Sequence, residues 1–198
     1  MSKITSAAAP KAARHSMTTR TLAGCALLAA MSVVLARFVI PMPAVDQRFS
    51  LEAIPIFIAG MLFGPIPGAL VGFSADLVGC LFSGYGYHPL FCVPPILYGL
   101  SAGLFRPLLL KKTTPLTIGL SFLPPVALGS ILYQSATLAY VYGKGAFLPN
   151  FLVKLSTRSV QFAITFVLDV LVVYLLYKSK VFTAVRLWPA AQKTEDKE

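Results

Sequence analysis

Acidic residues are scarce in this chain. Its 198 residues include 7 Asp or Glu and 2 His, against 17 Lys or Arg. It contains no HExxH, GxSxG or Walker motif and no pair of carboxylates at a useful spacing. These absences argue against a metalloprotease or a serine hydrolase, and they exclude ATP hydrolysis by the chain itself. We therefore predict no catalytic residues and no cofactor.

Cysteine is also rare, and its spacing indicates no metal or redox site. The three cysteines, Cys25, Cys80 and Cys92, form no CxxC motif and lie in apolar segments. Such residues usually pack as small apolar groups. We expect three buried free thiols.

Charged residues make up only 12% of the chain, whereas 57% of its residues are hydrophobic. A soluble domain has about 25% charged and about 45–50% apolar residues. The composition therefore predicts an all-α integral membrane protein. Since each span needs roughly 20 residues, the length fits a bundle of about six transmembrane helices.

Apolar runs and turn residues divide the chain into a basic tail at 1–19, a membrane domain at 20–180 and a polar tail at 181–198. The predicted spans are about Thr21–Ile40, Leu51–Phe63, Ile66–Phe82, Leu90–Leu110, Leu116–Tyr142 and Phe147–Tyr177. The second is too short to cross upright, which leaves it tilted, broken or partly inserted. The Gly64-Pro65-Ile66-Pro67-Gly68 run predicts two helices that meet in a very tight turn. The Pro94-Pro95 and Pro124-Pro125 pairs predict kinks or breaks inside spans 4 and 5.

Basic residues cluster on one side of this arrangement. Twelve of the 17 lie in the tails or the central loop, at Lys3, Lys11, Arg14, Arg20, Arg106, Lys111, Lys112, Lys178, Lys180, Arg186, Lys193 and Lys197. This pattern is typical of membrane topology rather than of a nucleic-acid-binding face. The positive-inside rule places both termini in the cytoplasm.

Polar groups inside the spans converge on the opposite, outer side. They are Arg37, Asp76, Gln134, Lys154 and Arg158, with Tyr85, Tyr87 and His88 in the loop above. Because buried charges need partners or a cavity, we predict a ligand pocket that opens outward. Alternatives remain for individual residues: Arg37 and Lys154 could reach the headgroups, Asp76 could pair with Arg37 or Arg158, the tyrosines could form an aromatic belt, and His88 could be a plain loop residue.

Span 1 carries two alanines, Ala26 and Ala30, one turn apart on one face. Small residues at this spacing let another helix approach closely. The face indicates either a docking surface for a partner or packing within the bundle.

Several runs of the sequence together resemble the folate-specific S component, the substrate-binding subunit, of energy-coupling factor (ECF) transporters. They are Val34–Phe38, Arg48–Ser50, Ile54–Ile56, Ala59–Pro65, Gly68–Gly72, Ala75–Gly79, the Tyr85-Gly86-Tyr87-His88-Pro89 loop and Tyr98–Leu100. The likeness covers about 20–180. Thr157-Arg158 stands where that family often has Pro-Arg, and Asp169 stands where a neutral residue is expected.

The resemblance implies a multi-pass subunit in a prokaryotic cell membrane that captures folate outside. It would work with a transmembrane coupling subunit, docked at Ala26 and Ala30, and two ATPase subunits. Asp76 would bind the pterin edge, Tyr85, Tyr87 and Phe91 would stack on its rings, and Arg37, Arg48, Lys154 or Arg158 would neutralise the glutamyl carboxylates. The alternatives are another vitamin or precursor (queuosine precursor, pantothenate or thiamine), a stand-alone transporter, or a membrane enzyme or assembly protein.

Overall fold

The computed structural model describes residues 19–37, 40–41, 48–49, 51–83, 88–111, 113–142 and 147–179. The helices are α1 (Thr19–Leu35), α2 (Ala53–Phe63), α3 (Pro65–Ser83), α4 (Val93–Leu104), α5 (Arg106–Lys111), α6 (Pro115–Pro124), α7 (Gln134–Tyr142) and α8 (Phe147–Lys178). A 3-10 turn, Pro89–Cys92, precedes α4, and a π-helical segment, Pro125–Tyr133, joins α6 to α7. The fold is helical as predicted, apart from two short antiparallel strands, β1 (Ile40–Pro41) and β2 (Arg48–Phe49), that pair Ile40 with Phe49.

Long apolar helices mark the chain as a membrane protein. Within the described ranges, three stretches are long and apolar enough to cross a bilayer: Pro65–Phe82, Pro115–Val141 and Phe147–Lys178. Shorter apolar stretches cover Thr19–Leu35, Ala53–Phe63 and Pro89–Leu104. Each of these six stretches overlaps one of the six predicted spans.

The short helix α2 forms the core of the bundle. Every residue from Ala53 to Leu62 is buried. The Phe57 ring stacks on Phe122 of α6, with ring centroids 3.8 Å apart. A helix that is apolar all round is stable where other helices cover every face. The short second span is therefore a helix enclosed by protein.

A single residue separates α2 from α3, which confirms the predicted tight turn. Gly64 has a φ of 105°, a conformation that side chains disfavour. Pro65 then opens α3, where a missing backbone N–H costs nothing.

Glycines also bring α2, α3 and α4 into backbone contact. A Cβ atom on Gly68 would lie 2.5 Å from the Gly60 Cα atom and 2.6 Å from the Gly99 carbonyl oxygen. A Cβ atom on Gly103 would collide with the Pro65 backbone. The helices can approach this closely only because these positions carry no side chain.

Neighbouring helices run in opposite directions. We call the end that holds Gly64 the hairpin end and the other the distal end. Gly24 of α1 lies against the Phe63 ring at the hairpin end, whereas Ser32 donates a 2.8 Å hydrogen bond to the carbonyl oxygen of Glu52 at the distal end. Helix α1 is therefore antiparallel to α2.

The rest of the bundle continues the alternation. Ser101 in α4 donates to the Ser121 carbonyl oxygen in α6 at 2.6 Å, and Gly129 of the π-helical segment lies beside Pro94. Helix α6 with its π-helical extension thus runs towards the distal end. Since Arg158 contacts the π-helical segment, α8 begins near the distal end and returns.

The two proline pairs differ in their effects. Pro94 and Pro95 occupy the first turn of α4, so the predicted kink or break inside span 4 is wrong at this pair. That turn has no backbone N–H bonds for proline to remove. Pro124 and Pro125 do interrupt regular α-helix, because the chain changes to π-helical geometry there.

The break in span 4 comes instead between α4 and α5, where Arg106 caps α2. Its Nε atom donates to the carbonyl oxygen of Met61 at 3.1 Å. The last carbonyls of a helix lack partners within the helix and carry partial negative charge, so a cation satisfies both needs.

The three cysteines are free, as predicted. Cys25 and Cys92 are buried, but Cys80 is only half-buried because it faces a cavity.

Candidate functional site

A polar cavity of about 190 Å³ opens at the distal end between α1, α2, α3 and the start of α4. Three charged side chains line it, with small and apolar neighbours. The lining residues are Ser32, Val33, Ala36, Arg37, Glu52, Ile56, Ala75, Asp76, Gly79, Cys80 and Pro95. The sequence-predicted residues Arg37 and Asp76 thus share one cavity.

Asp76 is the most deeply placed acid of this cavity. Its Oδ2 atom is buried and has no hydrogen-bond partner among the described residues. The Cys92 thiol hydrogen-bonds to the side chain. A buried carboxylate oxygen without a donor is costly, so this atom is available to a ligand N–H group.

Arg37 joins the end of α1 to α3. Its Nη2 atom donates a 2.8 Å hydrogen bond to the Gly79 carbonyl oxygen, one helical turn after Asp76. The guanidinium has five N–H donors, so this bond leaves others for an anionic group. The side chain is exposed at the cavity wall.

Glu52 is a cavity residue that the sequence analysis missed. It directly precedes α2, and the Ser32 hydroxyl bonds to its backbone carbonyl oxygen. One signal was available: Glu52 is one of seven acidic residues and borders a helix that is otherwise entirely apolar.

A second polar cluster surrounds Arg158. Its Nη1 atom donates to the Ser130 carbonyl oxygen at 3.3 Å, and its guanidinium carbon lies 5.5 Å from the centroid of the Phe162 ring. The Ser130 hydroxyl is 3.0 Å from the Tyr98 hydroxyl, and these two groups share a hydrogen bond. The cluster therefore links α4, the π-helical segment and α8.

Asp169 lies further along the inward face of α8. This face is buried at four-residue intervals, at Gln161, Thr165, Asp169 and Val173. Asp169 is only 1% exposed, and its Oδ1 atom has no hydrogen-bond partner within the described part of the chain.

The remaining sequence-predicted residues fall into three groups. Gln134 begins α7 and Lys154 lies one turn before Arg158, both half-buried. His88 directly precedes the 3-10 turn, and its buried Nδ1 atom has no hydrogen-bond partner among the described residues. Its ring lies 5.6 Å from the Phe91 ring. Tyr85 and Tyr87 lie outside the described residues, and Arg48 is described only as a backbone position in β2.

An apolar groove of about 680 Å³ separates α1 from α3 on the outside of the bundle. Ala26 and Ala30 are exposed in it. The other lining residues are Leu22, Cys25, Ala29, Val33, Val34, Leu70, Val71, Phe73, Ser74, Val78 and Phe82. The two alanines thus face a space that a helix or a lipid chain could fill.

Fold and cavity together define a helical membrane protein with a polar pocket at the distal end of the bundle. A family model described as "ECF-type riboflavin transporter, S component" matches residues 16–180, and the chain belongs to this family. This confirms the predicted ECF S component class. Membership makes the chain an integral membrane, substrate-binding subunit of a vitamin transporter rather than an enzyme.

Several solved structures are similar to this chain, and two of them are compared with it. One, described as FolT bound with folic acid, is 30% identical, with a TM-score of 0.69 over 82% of this chain and 96% of that chain. The other, an S component for biotin from an ECF-type ABC transporter, is 20% identical, with a TM-score of 0.57 over 82% of this chain and 95% of that chain. The second shows the shared fold alone. No curated protein sequence matches significantly.

Proposed function

We propose that this S component binds folate. The observation that carries the proposal is the cavity in which Asp76 offers a buried acceptor atom near Arg37. The 30% identity to FolT, solved with folic acid, supports the same ligand.

The chemistry of folate fits these groups. Its pterin ring has an amino-pyrimidinone edge that can donate two parallel hydrogen bonds to the Asp76 carboxylate. Phe91, with Tyr85 and Tyr87, supplies aromatic surface for the flat rings, and His88 and Gln134 supply polar contacts. Its glutamyl carboxylates need cations, for which we propose Arg37, Arg48, Lys154 and Arg158.

We further propose six membrane crossings, with both termini in the cytoplasm of a prokaryotic cell and the distal end facing outward. The alternating helix directions support the even number of crossings. The twelve basic residues of the tails and the central loop support the orientation.

The proposed partners are a transmembrane coupling subunit and two ATPase subunits that supply ATP hydrolysis. The groove between α1 and α3 supports docking of the coupling subunit at Ala26 and Ala30, because small side chains admit close helix packing.

Riboflavin is the second candidate ligand, because the matching family model is described by that vitamin. Purifying the chain and identifying the small molecule that co-purifies would separate the two. We expect folate, together with saturable folate binding by the purified protein. Riboflavin, thiamine or biotin in its place would overturn the folate assignment without affecting membership of the family.

Docking is tested by the double variant Ala26→Leu, Ala30→Leu. Larger side chains should block close helix contact, so the chain should lose co-purification with the coupling subunit and the ATPases while it keeps its folate affinity. Ala163→Leu, at another exposed alanine, in α8, is the matched control. Unchanged co-purification of the double variant would overturn docking at Ala26 and Ala30.

A further inference from the structure

Most of the charged groups that line the distal cavity are hydrogen-bond acceptors. Two carboxylates, those of Glu52 and Asp76, line it with one guanidinium, that of Arg37. One N–H group of Arg37 is already bound to the Gly79 carbonyl oxygen. Arg37 keeps further N–H donors, but the two carboxylates outnumber the guanidinium, so the cavity favours ligand groups that present N–H donors.

The two acids occupy different depths. Asp76 has a fully buried oxygen, whereas the Glu52 side chain is exposed. Glu52 is held in place through its backbone, because Ser32 bonds to its carbonyl oxygen and the next residue, Ala53, is buried in the core.

Pterin and flavin rings differ in the hydrogen-bonding groups on the pyrimidine edge, which is the edge that would contact the two carboxylates. The pterin edge carries a 2-amino group with two hydrogens, an N3–H group and one carbonyl. A carboxylate bound to the N3–H and one amino hydrogen leaves the second amino hydrogen without a partner. The flavin edge carries one N3–H group between two carbonyls, so a second carboxylate would meet an oxygen there, and this contact is repulsive.

We propose that Glu52 is a specificity-determining residue that accepts the second hydrogen of the ligand's 2-amino group and, with Asp76, rejects a flavin edge. This rests on the proposed function, because it takes the distal cavity as the vitamin site. It accounts for folate selection by a chain whose family model is described by riboflavin.

The test measures dissociation constants by calorimetry on the purified full chain in detergent. The ligands are folic acid, folic acid whose 2-amino group is replaced by hydrogen, and riboflavin. The proteins are the wild type, Glu52→Gln and Glu52→Met. Glu195→Gln, in the polar tail of the sequence, is the matched control.

We expect Glu52→Met to lose about tenfold or more in folic acid affinity, as for loss of a hydrogen bond to a charged group, and Glu52→Gln to lose less because its amide oxygen still accepts. Neither variant should lose more than about threefold in affinity for the 2-desamino compound. Glu52→Gln should also narrow the preference for folic acid over riboflavin, because its amide can donate to a flavin carbonyl. Glu195→Gln should match the wild type. Thermal unfolding of each variant checks that the fold is retained.

Equal losses for folic acid and its 2-desamino analogue, or unchanged folic acid affinity, would overturn the role of Glu52. Either result would leave the folate assignment intact, since the wild type would still bind. A wild type that binds no folic acid would overturn the proposed function before any variant is compared.

Discussion

The two ends of the bundle are built by opposite means. At the hairpin end, α2, α3 and α4 meet through backbone atoms at Gly60, Gly68 and Gly99, with no side chain between them. At the distal end, α1, α2 and α3 surround a cavity lined by Glu52, Asp76 and their neighbours, although α3 still meets the start of α4 through Gly72 and Pro95. Close packing favours stability, whereas the open polar end leaves hydrogen-bonding atoms to a ligand.

This difference predicts that changes at the hairpin end act on stability and that changes at the distal end act on binding. Three substitutions test this separation. For each variant, both the free energy of unfolding and the folate dissociation constant are measured. The docking and Glu52 experiments above extend it to the outer groove and to ligand choice.

The largest effect is expected for Gly99→Ala. The new methyl group would collide with the backbone carbonyl of Gly68, which cannot move without separating α3 from α4. We expect a loss of about 3 kcal/mol in unfolding free energy, measured by denaturant unfolding in detergent. Gly119→Ala is the matched control: its Cβ atom would lie 3.5 Å from the Phe166 ring, an ordinary contact. Equal stabilities of the two variants would contradict the backbone-contact interpretation.

The next effect is expected at the distal end, for Arg158→Ala. If Arg158 neutralises a ligand carboxylate, its loss should weaken folate binding by about 2 kcal/mol, or about thirtyfold in Kd. Arg158 makes a 3.3 Å hydrogen bond to Ser130 and a contact with the face of the Phe162 ring. The loss of unfolding free energy should therefore be smaller than the loss of binding free energy. Lys178→Ala, at an exposed position on the same helix, is the control. Unchanged folate affinity would remove Arg158 from the site.

The helical layout could largely be predicted from the sequence, because long apolar runs and turn residues act locally. The turn between α2 and α3 can be predicted from Gly64 and Pro65 because their backbone preferences act locally. Pro94 shows the limit of this reasoning: whether a proline breaks a helix or begins one depends on where the helix starts, and the preceding 3-10 turn sets that point.

The candidate site could be predicted only in part. Arg37 and Asp76 are visible because charge inside an apolar run is costly. Glu52 lies at a helix boundary, where an acid is ordinary, and only the packing of α1 against α2 brings it to the cavity. The sequence shows Arg106 as a basic residue near a loop. Its hydrogen bond to Met61 could not be predicted, because the two residues are 45 positions apart in the chain.

The smallest effect is expected for Arg106→Met, which removes the cap of α2 but keeps an unbranched, flexible side chain. Met61 would lose its 3.1 Å hydrogen bond from a charged donor, and the end of α2 would lose a favourable cation. We expect about 1.5 kcal/mol less unfolding free energy and an unchanged folate Kd, because Arg106 lies at the end opposite the cavity. Lys111→Met, at an exposed residue of the same short helix, should change neither quantity measurably. A loss of folate-binding free energy as large as the loss of unfolding free energy would show that the two ends are coupled through α2. The separation of packing from binding would then fail.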